Sequence, residues 1–381
     1  MDRPAGGITS SNRAAGRHLD FLDQIRGVAI LWVFIFHAYI VSFGEFPHLN
    51  RWERAVTLPA ALGWLGVSVF FVVSGFCIHT SYARQPDWAA FFKRRFFRIY
   101  PPYLVALLLF ALIFPTTRLK GLTVFNAAQI GSHSFFVHNL SERSLFGINP
   151  SFWSMAVEVQ LYAVYPLLLM LVARWGWKIS LLIALVVEVT LVQAKGHWGL
   201  PAWLAYSPFA YWCSWSVGAA IGDAYLRKKT IWLPRGSLSI LAALLALGFF
   251  VQPVGALGFL CVALATAVVI IRKLQAPPAT TANRNHFSTE LSRAGLWSYS
   301  LYLLHQPLVF CIPLLIGMIY PHDAPHRWLL FLISLASWFV IVPLAGVFYR
   351  HCEMPSNALG KSLSRVDRSP APATVLSRPV A

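Results

Sequence analysis

The chain has 381 residues, of which 57% are hydrophobic, 15% aromatic and only 12% charged, with a mean hydropathy of +0.60. A soluble domain carries about twice that charged fraction, so the composition excludes a soluble enzyme and points to an all-α, polytopic bundle of helices integral to a membrane. The net charge of +17 reads as Lys and Arg retained on one side of a bilayer, with membrane lipid as a partner and no nucleic acid.

Residues 1–19 are polar and rich in Gly, Ala and Ser and lack the apolar core of a cleaved leader, so they are expected to form a disordered cytoplasmic tail. Ten spans are predicted, near 22–42, 62–80, 101–115, 152–173, 179–194, 204–226, 237–251, 254–271, 296–318 and 327–349. With the N-terminus inside, 23 of the 31 Lys and Arg fall on inner segments and seven on outer ones. That bias predicts an even number of crossings and both termini in the cytoplasm. Residues 20–352 are read as one membrane domain and 353–381 as a C-terminal cytoplasmic tail. The five cysteines form no CxxC pair, and neither a disulfide framework nor a metal site is expected.

The first span runs from Asp23 and Arg26 through ten uncharged residues to His37. Eleven residues at about 100° each make roughly three turns, so Arg26 and His37 share a helix face about 16 Å apart along the axis. Ionisable groups within a span usually face a bundle interior or a cavity. Anchoring by Arg26 and packing by His37 weigh about equally against a functional pair. In the second span, Leu65 to Phe76, the small residues read as close helix packing, with Ser74 and Gly75 at a cavity.

Lys93-Arg94-Arg95-Phe96-Phe97-Arg98 precedes the third span. Arg95 and Arg98, three apart, project together and suit a phosphate-bearing ligand, although such clusters commonly serve topology and anionic lipid. Val124 to Leu140, with His133 and His138, reads as interfacial or re-entrant. Glu158 sits within the apolar fourth span and is expected either to orient His37, to meet an acceptor hydroxyl, or to pair structurally. His305 lies in the ninth span beside Pro307, as a second cavity histidine or a packing one. Glu188 and Asp223 are assigned no role.

Taken in order, Leu22-Asp23-Gln24-Ile25-Arg26-Gly27 with His37, Phe70 to Phe76, Arg94 to Pro102, Trp153 to Pro166 and Ser298 to Pro307 resemble the membrane acyltransferase-3 family, the O-acyltransferases of bacterial surface polysaccharide, lipopolysaccharide and peptidoglycan. One departure stands out: many members carry two adjacent glutamates after the Trp-Ser, and the second position here is Val159.

The resemblance implies a bacterial inner-membrane O-acyltransferase with no bound cofactor. It implies an acyl-CoA donor, usually acetyl-CoA, held near Arg95 and Arg98, and a glycan hydroxyl as acceptor. His37 is then the expected catalytic residue, as general base or as the group that is itself acylated. Glu158 joins it as the second catalytic residue, and Arg26, Asp23, Ser74 and His305 are expected to bind substrate. A small secondary metabolite such as a macrolide is an alternative acceptor. A transporter or flippase is the alternative class, although an uncharged solute gives no reason for the Arg95/Arg98 pair.

Overall fold

The computed structural model describes residues 19–44, 49–112, 127–197, 201–250, 257–276, 286–319 and 326–364. All regular structure among them is helical: α1 Asp20–Phe43, α2 Arg51–Ala61, α3 Gly66–Arg84, α4 Trp88–Leu112, α5 Ala127–Ser134, α6 Phe152–His197, α7 Trp212–Leu226, α8 Ser237–Phe250, α9 Gly258–Gln275, α10 His286–Leu296, α11 Ser298–Ile319, α12 Arg327–Ala336, α13 Trp338–Phe348 and α14 Met354–Leu363. A π-helical turn, Tyr349–Glu353, joins α13 to α14. Six helical stretches are long and apolar enough to cross a membrane: 20–43, 51–84, 152–193, 258–275, 298–319 and 327–363. Large apolar side chains such as Met318, Phe339 and Val340 point outward, as suits a surface solvated by lipid.

The helices begin and break where their sequences dictate. Asp20 and Asp23 occupy the first turn of α1, where carboxylates complement the helix dipole. Asn50 and Glu53 form a reciprocal capping box on α2: Asn50 Oδ1 accepts from the Glu53 N–H at 2.8 Å, and the Asn50 N–H donates back to Glu53 Oε2 at 3.0 Å. The long run α6 is two helices, broken at Gly176 (φ 75°, ψ 171°), a conformation open to glycine. The break falls in the gap predicted between the fourth and fifth spans.

Two prolines free carbonyls that distant side chains then satisfy. Pro101, inside α4, cannot donate to the Phe97 carbonyl four residues back; Ser356 Oγ on α14 donates to it instead. Pro307, inside α11, likewise frees the Leu303 carbonyl, which accepts from Asn149 Nδ2 at 3.3 Å.

The core is a continuous aromatic and aliphatic cluster around Phe34, Phe71, Phe91, Tyr103, Tyr165 and Trp215. Helix α3 packs closely along α7, α1 against α10, α3, α11 and α12, and α4 against α14. The α3–α7 crossing depends on glycine: a Cβ on Gly75 would overlap the Trp215 carbonyl, and one on Gly218 would overlap that of Val72. Small residues permit this approach, as expected for the Ser74-Gly75 stretch.

Two expectations differ from what is found and one agrees. Helix α4 starts at Trp88 rather than near 101, so the basic cluster is helical and not a flanking segment. Of the stretch Val124 to Leu140, the described residues 127–140 contribute the eight-residue α5 and a 3-10 turn at His138–Leu140, too short to span, which agrees with the expectation of a segment that does not cross. Residues 354–363, expected within a tail, form α14 docked on α4 because Ser356 and Gly360 meet Phe97. The six long apolar stretches do not by themselves fix a count of ten crossings.

Candidate active site

Helix α1 carries His37 to the centre of the bundle, where it meets His305 of α11. His37 Nδ1 lies 2.9 Å from the Val33 carbonyl and 3.1 Å from His305 Nε2, and the rings cross edge to face with centroids 4.8 Å apart. His305 Nδ1 lies 3.1 and 3.0 Å from the carbonyls of Leu301 and Tyr302. Those carbonyls require an N–H on His305 Nδ1, so its Nε2 accepts. His37 Nδ1 faces two acceptors and therefore carries its proton, which makes Nε2 the basic nitrogen of His37. This is the tautomer a general base needs, assigned from the acceptors around both rings.

His37 opens on a cavity of about 710 Å³, whose wall includes Trp64, Trp153, Tyr206, Tyr211, Phe259 and Gln306. A smaller cavity of about 80 Å³ is lined by Arg26, Arg95 and Arg98 together with Ser74, Glu158 and Tyr162. Val67 and Tyr302 line both. The Tyr302 hydroxyl is 2.6 Å from Ser154 Oγ and donates to the Ser151 carbonyl at 3.2 Å, which fixes the ring between the two spaces.

In the smaller cavity, Arg26 donates to Asp23 Oδ1 at 3.2 Å and to Cys77 Sγ at 3.3 Å. Arg95 donates to Ser81 Oγ at 2.9 Å and lies over the Phe91 ring. Arg98 faces the carboxylates of Glu353 and Glu158. The other two cations of the cluster point elsewhere: Arg94 to Gln85 Oε1 at 2.8 Å and Lys93 to the Leu363 carbonyl at 3.2 Å. The i, i+3 geometry of the helix thus sorts the four cations, sending only Arg95 and Arg98 inward. Glu158 accepts from Ser74 Oγ at 2.8 Å and from the Tyr162 hydroxyl.

The structure therefore divides the predicted residues between two places. His37 and His305 form one pair. Asp23, Arg26, Ser74, Arg95, Arg98 and Glu158 gather at the other cavity. The expectation that Glu158 orients the His37 imidazole does not hold: Glu158 is spent on Ser74 and Tyr162, and His305 partners the imidazole. One turn of helix separates Glu158 from Ser154, which already lies at the wall beside Tyr302, so the carboxylate falls beyond that wall.

Sequence reasoning missed Tyr302 and Glu353. Tyr302 lay inside the quoted Ser298 to Pro307 stretch, one turn before His305. Glu353 is buried, accepts from Ser300 Oγ at 2.6 Å and faces Arg98 and Arg26. Its signal was a carboxylate just past the last apolar run, and it sits on the π-helical turn, a distortion frequent at functional sites.

Residues 19–350 match the family model described as an acyltransferase domain. Among curated proteins, the chain is 24% identical to the peptidoglycan O-acetyltransferase OatA of Listeria monocytogenes, over 91% of this chain and 57% of that protein. It is 26% identical to nodulation protein 10 of Rhizobium leguminosarum, over 93% and 97% of the two chains. Acyltransferase MdmB of Streptomyces mycarofaciens is 28% identical, over 75% and 78%. The chain thus spans little more than half the length of the Listeria relative. No solved structure matches the chain. With all-helical architecture, six helical stretches able to cross a membrane and a family match over nearly its whole length, the chain belongs to this family of membrane acyltransferases.

Proposed function

We propose that the protein moves an acyl group, most simply acetyl, from acyl-CoA to a hydroxyl of a cell-surface carbohydrate at a bacterial inner membrane. The observation that carries this reading is the adjacency of two unlike cavities: three guanidiniums in one, and a histidine whose tautomer suits a base in the other, with Tyr302 as their common wall.

In this reading Arg26, Arg95 and Arg98 hold the phosphate-bearing donor, and its acyl thioester reaches past Tyr302 toward His37. His37 Nε2 takes the proton of the acceptor hydroxyl as the oxygen attacks the thioester carbonyl. The carbon–sulfur bond then breaks and the thiolate leaves, taking the proton back from the imidazolium. His305 Nε2, accepting from His37 Nδ1, steadies the positive ring between the two transfers. The Arg-to-His distance of about 16 Å along α1 is one that a long flexible thioester arm can bridge. The cationic cavity belongs on the cytoplasmic side, where the donor is made; the charge bias supports that sidedness, an even number of crossings and both termini inside.

The test is turnover of radiolabelled acetyl-CoA by purified protein in detergent, beside His37→Ala and Arg95→Ala/Arg98→Ala. Saturable donor use that weakens in the arginine variant and loses transfer in the histidine variant supports the proposal. A folded wild type that neither binds nor turns over acyl-CoA refutes it.

A further inference from the structure

The cavity in front of His37 differs in kind from its neighbour. Its 20 lining residues include none of Asp, Glu, Lys or Arg, and ten are aromatic. The rings form a connected wall: Trp64 to Phe259 at 5.0 Å between centroids, Phe259 to Tyr211 at 5.2 Å, Tyr211 to Trp153 at 5.6 Å, Trp153 to Tyr206 at 5.2 Å and Tyr206 to Phe146 at 5.4 Å. Polar groups are few and neutral. Ser151 Oγ donates to the Gln306 amide oxygen, and the amide N–H groups of Gln306 supply donors.

This chemistry selects an occupant. A carboxylate, phosphate or ammonium entering the cavity sheds its water and meets no opposite charge among the described lining residues, a large penalty. An uncharged ring bearing hydroxyls sheds much less. Its C–H face, weakly positive, lies against the negative faces of the aromatic rings, while its edge hydroxyls meet Gln306, Ser151 and His37. The volume of about 710 Å³ is that of a substantial ligand site, where a cavity serving a single water needs far less.

Resting on the function proposed above, we infer that the acceptor portion recognised by this chain is an uncharged, hydroxyl-bearing ring with an apolar face, seated against Trp153 and Tyr206 with one hydroxyl at His37 Nε2. A neutral sugar unit and an uncharged macrolactone both present that chemistry; an acidic sugar does not.

Binding is measured without donor, through quenching of the tryptophan fluorescence of the full chain in detergent. Cellotriose, trigalacturonate of equal length and an uncharged macrolide aglycone serve as probes. The inference expects cellotriose, the aglycone or both to bind saturably, at least tenfold tighter than trigalacturonate; which of them binds identifies the source of the ring. In Trp153→Ala the affinity for the binding probe falls by up to about tenfold, and Trp153→Phe recovers most of it. Trigalacturonate binding as tightly as the neutral probes, absence of binding by both neutral probes, or an unchanged affinity in Trp153→Ala overturns the inference. Transfer from labelled acetyl-CoA is followed separately. Its failure sinks the proposed function while the binding comparison still reads out on the cavity.

Discussion

The hydroxyl of Tyr302 and Oγ of Ser154 lie 2.6 Å apart, and this contact pins the one aromatic ring that borders both cavities. On the function proposed above, donor and acceptor would face a shared wall rather than a shared pool of water, and the acyl thioester would stay dry until it passed the ring. Tyr302→Phe keeps the wall and loses the hydroxyl, at a cost of about 1 kcal/mol in stability. Tyr302→Ala joins the two spaces. We expect it to raise release of free CoA in the absence of acceptor relative to transfer in its presence, measured by thiol titration against product formation. An unchanged ratio refutes a partitioning role.

His305 touches His37 through Nε2 at 3.1 Å, and we expect it to act through that imidazole rather than on substrate. His305→Ala removes one of the two acceptors at His37 Nδ1 and leaves only the Val33 carbonyl, so the tautomer with its proton on Nε2 becomes more accessible and the base is lost for part of the time. The expected outcome is a fall in kcat of roughly 10²-fold or more, with the KM for donor little changed. His305→Gln, whose amide oxygen accepts a hydrogen bond, recovers part of the rate. Equal damage in the two variants argues for packing alone.

Glu158 belongs with the guanidiniums, so its loss should register on the donor. Glu158→Gln keeps the bonds to Ser74 and Tyr162 in outline and removes a negative charge facing Arg98. We expect a shift in the KM for acyl-CoA of a few-fold, dependent on ionic strength, with the pH profile of kcat unmoved. A displaced acidic limb in that profile returns Glu158 to a role at His37.

The cap formed by α5 and the turn after it holds His133 and His138 fully buried, their rings stacked in parallel with centroids 3.9 Å apart. This segment lies outside the candidate spans. Burial pushes His133 down to about 4, against a smaller opposing effect of the Gln129 carbonyl. His138 is held well below its ordinary value, first by burial and then by its neighbour His133. Both folded values lie under the unfolded value of about 6.5. The contribution of the pair is therefore fully present above pH 6.5 and is lost as pH falls from there toward 4, on the order of 3 kcal/mol for His133 alone. Protease susceptibility of the cap should rise across that window. A flat response between pH 7 and pH 4.5 refutes the neutral buried pair.

Much of this was legible in the sequence where a single helix carries the information. The Arg26-to-His37 spacing, the inward pair Arg95 and Arg98, and the interruption near Gly176 all follow from 3.6-residue periodicity or from one residue type. What was not legible depends on crossings. Glu158 meets Ser74, 84 residues away on another helix, and that pairing rather than any local pattern marks the cavity it enters. The partner of His37 lies 268 residues away, a relationship no local pattern encodes. The start of α4 at Trp88 was hidden because Lys93, Arg94, Arg95 and Arg98 interrupt the apolar signal that marked the other spans, although long cationic side chains are good helix formers.

The carbonyl that Pro101 frees at Phe97 is taken up by Ser356, and the basic pair sits on the same turn of α4. Helices are made in chain order, so Arg95 and Arg98 reach the membrane with the Phe97 carbonyl beside them uncapped. Its cap comes only after residues 354–363 have emerged and docked. Glu353, facing Arg98 from the adjoining π-helical turn, arrives at the same moment. The cationic cavity is thus begun by the first third of the chain and finished by residues 349–363: a chain that stops before them carries every arginine of the site and lacks both the carboxylate that faces Arg98 and the hydroxyl that caps Phe97.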